Sequence, residues 1–247
     1  MEIITWNVNY DDRAIGEFEK YDWDHRKAAI GEFVKSHMNS IFHFQEVMPK
    51  YMTEIEDWLC ETHVLFSMQV HPCGRQNVSA YPASLNNLEQ VDVPPPSEKH
   101  RRVFLRVEND ECVFYNVHFP MAEEFREAFT KQLCDLTRNE TRKVVVTGDF
   151  NSFPDGNGFE QTFQIQREGN LYAATSVMKD SESNQRVLKT FERYPYDVLP
   201  AHVLEAIAEA PEFNLDHIFV KGIVHQTPRV YVNSSSDHYA ISMEFQF

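Results

Sequence analysis

Basic residues are scarce in this chain: 23 lysines and arginines stand against 38 aspartates and glutamates, giving a formal net charge of -15 and a pI near 5.1. Tight nonspecific binding to a polyanion is thereby disfavoured, because it takes many cationic contacts to phosphates. A nuclease is not excluded, since a bound divalent cation and a local basic strip offset the imbalance. The one dense basic strip, Lys99-His100-Arg101-Arg102 after Pro94-Pro95-Pro96, reads first as a solvated strand start rather than a phosphate clamp. Cysteine is sparse too. Cys60, Cys73, Cys112 and Cys134 form no C-x-x-C pair and lack metal-like spacing, which leaves reduced core or surface thiols. No apolar run approaches the ~20 residues a membrane span needs, and there is no internal repeat or low-complexity tract. No charged segment followed by an apolar run opens the chain, and Met1 to Asn7 reads at once as a strand, so a cytoplasmic protein is the expectation.

Apolar residues, by contrast, are plentiful. With 42% hydrophobic content and 19 phenylalanines in 247 residues, the chain can bury a sizeable core, and one domain over 1–247 is expected. Runs rich in Val, Ile, Phe and Tyr predict strands near 2–8, 40–44, 63–70, 76–81, 101–107, 112–117, 143–147, 216–221, 229–232 and 239–246. A helix is predicted over about 24–37, with Ala28, Ala29, Phe33 and Val34 on its buried face. A second starts at Pro49 and runs to about Glu61, and a third, about 121–138, carries Phe125, Phe129, Leu133 and Leu136 at helical spacing. These stripes read as core. The 180–214 region is less regular, with a polar stretch, the aromatics Phe191, Tyr194 and Tyr196, and a short helix candidate from Pro200. Adjacent pairs such as 101–107 and 112–117 read as hairpins. The order of elements therefore fits an α/β fold of two mixed β-sheets packed face to face, helices on the outside, better than one doubly wound sheet.

Acidic and amide residues recur where the apolar runs stop: Thr5-Trp6-Asn7, Gln45-Glu46, Gly148-Asp149-Phe150-Asn151 and Ser236-Asp237-His238. One sheet edge could gather Asn7, Glu46, Asp149, Asn151, Asp237 and His238. In one cleft Glu46, Asp149, Asp216 and Asp237 would repel one another, so the site demands a cation or raised pKa values, and the cation is the simpler answer. Oxygen-only donors suit Mg2+ or Mn2+ rather than zinc, with Glu46 the first choice as ligand and Asn7 and Asp237 near it. Asp216, at the head of its strand, can fix the tautomer of His238 and leave the other ring nitrogen to take a proton from water. His118, at another strand end, can donate to a phosphate oxygen. Taken singly, each reads as structural: Asn7 a turn residue, Asp149 and Asn151 an Asx turn, His118 a capped loop histidine. Their joint occurrence overturns that reading.

In order along the chain, Thr5-Trp6-Asn7-Val8-Asn9, Phe44-Gln45-Glu46-Val47, Asn116-Val117-His118, Gly148-Asp149-Phe150-Asn151, Leu215-Asp216-His217-Ile218-Phe219 and Ser236-Asp237-His238 form a series. It resembles the endonuclease/exonuclease/phosphatase superfamily over nearly the whole chain. The resemblance implies a four-layered α/β sandwich and Mg2+-dependent cleavage of a phosphoester by in-line attack of water, Mn2+ being a substitute. It implies Glu46 as metal ligand helped by Asn7 and Asp237, Asp149 and Asn151 orienting water and phosphate, and His118 binding the phosphate. His238, held by Asp216, would be general base or transition-state stabiliser; the base is either His238 or Asp149. Tyr21 to Lys27 resembles a tryptophan/arginine segment of bacterial members, in which Arg26 would cap or brace the site. Leu215-Asp216-His217-Ile218 stands where inositol-polyphosphate 5-phosphatases carry a tryptophan-cysteine-aspartate-arginine signature, which disfavours that group. Gly74 to Leu85 holds no clear match for the acidic partner of His118 expected in deoxyribonuclease-like members. Tyr81-Pro82 resembles the arginine-tyrosine-proline strand of sphingomyelinase-like, deadenylase-like and tyrosyl-DNA phosphodiesterase-like members, with Ala80 in place of the arginine.

Three functions are compatible with these residues. A Mg2+-dependent phosphodiesterase acting on nucleic acid or a nucleotide-linked diester leads. A phosphomonoesterase acting on a small molecule or lipid headgroup follows, favoured by the acidic surface. A noncatalytic binding module on the same scaffold ranks last, since every position needed for metal and base holds a competent side chain. Candidate substrate contacts are Asn116, Arg75 and Tyr194, with the Arg75–Gln76 loop, the Lys99–Arg102 strip and the cluster Phe191, Tyr194 and Tyr196 setting substrate choice.

Overall fold

The computed structural model describes residues 1–8, 23–70, 74–96, 102–152, 157–177, 215–231, 236 and 238–247. In chain order the first elements are β1 (Glu2–Asn7), α1 (Trp23–Ser36), β2 (Ser40–Val47), α2 (Met52–Leu59), β3 (His63–Gln69) and β4 (Gln76–Pro82). Next come β5 (Glu89–Val91), β6 (Leu105–Glu108), β7 (Cys112–His118), α3 (Glu123–Arg138), β8 (Lys143–Asp149) and α4 (Asn157–Gly169). The last are β9 (Tyr172–Ala173), β10 (Asp216–Lys221), β11 (Val224–His225), β12 (Arg229–Tyr231) and β13 (Ala240–Gln246). They build two mixed sheets. One runs β11-β13-β1-β2-β4-β3, with β12 also on β13, and the other β5-β6-β7-β8-β10-β9. β1–β2 and β7–β8 pair in parallel, each joined through a helix, as a parallel pair requires.

Side-chain alternation divides the interior into three cores. Ile4, Trp6, Phe42, Phe44, Val78 and Ala80 face α1 and α2, while Val113, Tyr115, Val117, Val144, Val146 and Phe219 face α3 and α4. The opposite faces of the same strands, Ile3, Ile41, Phe114, Val145, Ile218 and Met243, meet between the sheets. Helix, sheet, sheet and helix thus form the four layers expected.

Three details differ from the sequence reading. On α1, Ala28 and Ala29 are exposed; the buried face is Trp23, Arg26, Ile30, Gly31 and Val34. Gly31 sets that face, because a Cβ there would lie 2.8 Å from the Trp58 ring of α2. α4 was not anticipated, since Phe163 is exposed on it and Gln161 buried, the reverse of an apolar stripe. It docks through a close approach in which a Cβ on Gly169 would meet Thr137 Oγ1 at 2.9 Å, and Asn170 follows in the left-handed conformation (φ 55) that ends helices. The short edge strands β5, β9 and β11 were also missed, for two or three residues carry no period. The 101–107 and 112–117 hairpin is present as β6 and β7, its turn held by Asn109 Oδ1 accepting from Glu111 N and Cys112 N at 3.0 and 2.9 Å. Cys60, Cys112 and Cys134 are free thiols. Cys73 and the helix candidate at Pro200 lie outside the described residues. Among the described residues no helix is long and apolar enough to cross a membrane.

Candidate active site

Register brings the strand-end residues together. Asn7 ends β1 opposite Gln45 of β2. In the other sheet His118 of β7 lies opposite Asp149 of β8, which in turn lies opposite Asp216 at the start of antiparallel β10. All share the parity that points into the space between the sheets, so the two sheets meet through their side chains. Asn7 Nδ2 donates to Asp149 Oδ2 at 3.0 Å across the gap. His118 Nε2 lies 3.5 Å from the same oxygen and 3.6 Å from Glu46 Oε1. The Asn151 amide N–H donates to Asp149 Oδ1 at 2.9 Å, and Asn151 Nδ2 to the Phe119 carbonyl at 2.8 Å. His238 Nδ1 is 2.7 Å from Asp216 Oδ2, which turns Nε2 toward Asp149 Oδ2 at 3.9 Å.

Glu46 reaches the cleft by a different route. Strand alternation after Phe42 and Phe44 would aim it at α1 and α2. A register shift between Phe44 and Val47, with Glu46 at φ 62, re-aims it to the inner side. A non-glycine residue in that region is strained, and the strain sits where a charged group must face a particular way. Asn151 is likewise left-handed (φ 45), a conformation asparagine tolerates. Gly148, next to Asp149, has φ 144 and no room for a side chain: a Cβ would fall 1.9 Å from the Val117 carbonyl oxygen.

Buried groups hold these residues in place. Trp6 Nε1 donates to the His238 carbonyl at 3.0 Å, Ser236 Oγ to the Asn7 carbonyl at 2.6 Å, and the His238 amide to Ser236 Oγ at 3.2 Å. Arg26 is buried and donates to the Val8 carbonyl, the bracing role expected for it. Arg102 is buried too, donating to the carbonyls of His118 and Phe119, so this member of the basic strip supports the loop below the site; Lys99, His100 and Arg101 lie outside the described residues. Sequence reasoning missed the anchoring by Trp6 and Arg102. A tryptophan beside the Asn7 motif was visible, but its bond runs to a residue more than 200 positions away.

Burial pushes the Asp149 carboxyl up to about 7, with His238 opposing the rise and Asp216 adding to it. A cation beside it would favour the ionised form. The donors fit a hard cation: Glu46 offers a carboxylate, Asn7 an amide, and nearby Asp149 carries a carboxyl whose charge is costly unless balanced. Among the described residues no three His, Cys, Asp or Glu side chains are arranged to hold a metal, and Asp237, the expected third ligand, lies outside them. Magnesium commonly binds through one or two carboxylates, completing its shell with water and substrate phosphate, so this sparse set is compatible with it.

The substrate candidates separate. Arg75 is at the site, NH1 lying 3.2 Å from Glu46 Oε1. Asn116 is not on the cleft surface: fully buried, its Nδ2 donates to the carbonyls of Phe44 and Val78 and to Ser79 Oγ, and its Oδ1 accepts from Gln45 Nε2. It ties the sheets together instead, because its place one pleat inside His118 leaves no path to a ligand. Tyr81 is also interior, with its hydroxyl 2.9 Å from His43 Nε2. Tyr194 and its aromatic neighbours lie outside the described residues.

The model of the Endonuclease/Exonuclease/phosphatase family matches residues 4–238, and the chain belongs to that family. Its members are typically hydrolases of phosphoester bonds and generally use divalent metal ions. No curated protein matches in sequence. Solved structures share the fold. A functionally unknown conserved protein from Enterococcus faecalis is similar at TM-score 0.69 and 18% identity, over 100% of this chain and 99% of the other. A mannosyl-6-phosphatase from Bacteroides thetaiotaomicron gives 0.66 and 14%, over 100% of both chains. TDP2 of D. rerio, complexed with a single-strand DNA product, gives 0.64 and 12%, over 100% and 99%.

Proposed function

We propose that this protein is a Mg2+-dependent phosphodiesterase, cleaving a nucleic acid or nucleotide-linked diester by in-line attack of water. The observation that carries the reading is the Asp216–His238–Asp149 arrangement: one imidazole nitrogen is held 2.7 Å from a carboxylate while the other faces the cleft. Asp216 keeps the proton on Nδ1 and stabilises the imidazolium, so His238 Nε2 takes the proton of the attacking water. Asp149, whose two oxygens accept from Asn7 and Asn151, orients that water beside the phosphate. His118 and Asn151 would donate to phosphate oxygens as charge grows on them, Asn151 through the amide hydrogen not given to the Phe119 carbonyl. A cation held by Glu46, with Asn7 and Asp237, supplies Lewis-acid stabilisation of that charge; Mn2+ can replace Mg2+.

A phosphomonoesterase is the second reading, favoured by the net charge of -15 and by the mannosyl-6-phosphatase among the structures of like fold. Metal-dependent hydrolysis of a chromogenic diester, its monoester and single-stranded and duplex oligonucleotides decides between them. Diester or oligonucleotide cleavage lost in His238→Ala is the expected result. Monoester cleavage alone establishes the second reading, and near wild-type turnover in His238→Ala removes the assigned base.

A further inference from the structure

Arg75 and Glu46 form an ion pair in which both side chains are only 12% exposed, and the oxygen that Arg75 holds, Oε1, is also the one facing His118. Resting on the phosphoesterase reading, that same carboxylate is the principal protein ligand of the divalent cation. A Mg2+–O bond is about 2.0–2.1 Å, whereas the guanidinium nitrogen stands 3.2 Å from Oε1. Both cations on one oxygen would lie no more than about 5 Å apart, where they repel. Arg75 precedes β4, next to Gly74 in a left-handed conformation (φ 96), and its long side chain has rotamers that can carry the guanidinium off Glu46 without moving the strand. A guanidinium displaced from a carboxylate can offer its planar fork of N–H donors to two oxygens of a phosphate.

We propose that Arg75 and the divalent cation compete for Glu46, so that metal binding turns Arg75 from an internal counter-ion into a ligand of the substrate phosphate. Without metal, Arg75 neutralises Glu46 and holds its strained backbone in place. With metal, the released guanidinium adds to phosphate affinity. Metal and phosphate then strengthen each other's binding by equal factors, part of which belongs to Arg75.

Calorimetric titration of Mn2+ into the wild type, Arg75→Gln and Glu46→Gln, with and without inorganic phosphate, tests this. Arg75→Gln is expected to bind Mn2+ about three- to tenfold more tightly than the wild type, the range of a partly buried ion pair of about 0.7–1.4 kcal/mol, and to lose part of the gain in phosphate affinity that Mn2+ confers. The NMR signal of Arg75 Nε–Hε, assigned by its loss in Arg75→Gln, is expected to shift with stoichiometric Mg2+ and again with phosphate; this reads the wild type directly, whatever the variant's stability. Equal or weaker Mn2+ binding by a folded Arg75→Gln, or an Nε–Hε signal unmoved by Mg2+, overturns the competition. A wild type that binds no Mn2+ overturns the phosphoesterase reading itself. Binding abolished in Glu46→Gln yet unchanged in Arg75→Gln overturns the competition alone.

Discussion

The space between the two sheets has two ends, lined by successive residues of the same strands. At one end Ile3, Ile41, Phe114, Val145, Ile218 and Met243 pack as hydrocarbon. A pleat or two along, Thr5, His43, Gln45, Asn116 and Thr147 are just as deeply buried but hydrogen-bonded: His43 Nδ1 lies 2.7 Å from Thr147 Oγ1, and Gln45 Nε2 donates to Thr5 Oγ1 at 3.1 Å and Asn116 Oδ1 at 2.8 Å. The apolar end stabilises through area, with little directionality. The polar end must satisfy each donor in one geometry, and that requirement sets the spacing and registry of the sheets just behind the cleft. Asn7, His118 and Asp149 of the proposed site stand at the end of that lattice, which would preorganise them.

The largest expected effect that separates the ends is on turnover. His238→Ala is expected to lower hydrolysis by about 10²–10⁴-fold while leaving the melting transition nearly in place. Phe114→Ala, at the apolar end, is expected to cost about 3–5 kcal/mol in denaturant unfolding and leave turnover per folded molecule near wild type. Comparable stability losses from both would erase the division.

His43→Phe probes the lattice itself. It leaves the Tyr81 hydroxyl and Thr147 without their imidazole partner and is expected to cost about 1–3 kcal/mol. Two buried titratable groups then give opposite pH dependences. Burial pulls the pKa of His43 down to about 3, so the unfolded chain binds the proton first; stability is lost as pH falls from about 6.5 toward 3, and His43→Gln is expected to flatten that loss. Asp149 is raised to about 7, so in chelator the folded chain keeps a proton that the unfolded chain has released. Its share of stability is lost as pH rises from about 4 to 7, and Asp149→Asn is expected to remove that slope. Denaturation midpoints across pH 3–8 in EDTA measure both.

The smallest effect on stability is expected at Glu46. Glu46→Gly relieves the left-handed strain, about 1 kcal/mol, while losing the ion pair with Arg75, so the unfolding midpoint should stay within about 1 kcal/mol of wild type. Stabilisation by Mn2+ should disappear. A variant that keeps the Mn2+ response would show that Glu46 is not the metal ligand.

Much of the architecture was legible because it follows local residue type and, for the helix at Glu123–Arg138, helical spacing. Runs rich in β-branched and aromatic residues, such as Ile3 to Trp6, Ile41 to Phe44 and Val144 to Thr147, mark strands, and the strand-end motifs showed which residues to gather. Less local features escaped. Ala28 and Ala29 looked core-facing until the contact of Gly31 with Trp58 chose another face for α1. Asn116 looked like a ligand contact because its motif includes His118, yet one pleat separates a cleft residue from an interior one. α4 lacks an apolar stripe and exists by docking on α3.

Residue type and spacing over a few positions set the longer strands, the two apolar faces of each sheet and the oxygen and imidazole groups at the strand ends. Which way Glu46 points, what Arg75 holds, and that His238 turns one ring nitrogen to Asp216 and the other to Asp149 depend on the packed chain. A bulge depends on the partner strand, the Arg75–Glu46 pair on the pairing of β2 with β4, and the line-up of His238 with Asp149 and Asp216 on the packing of one sheet against the other.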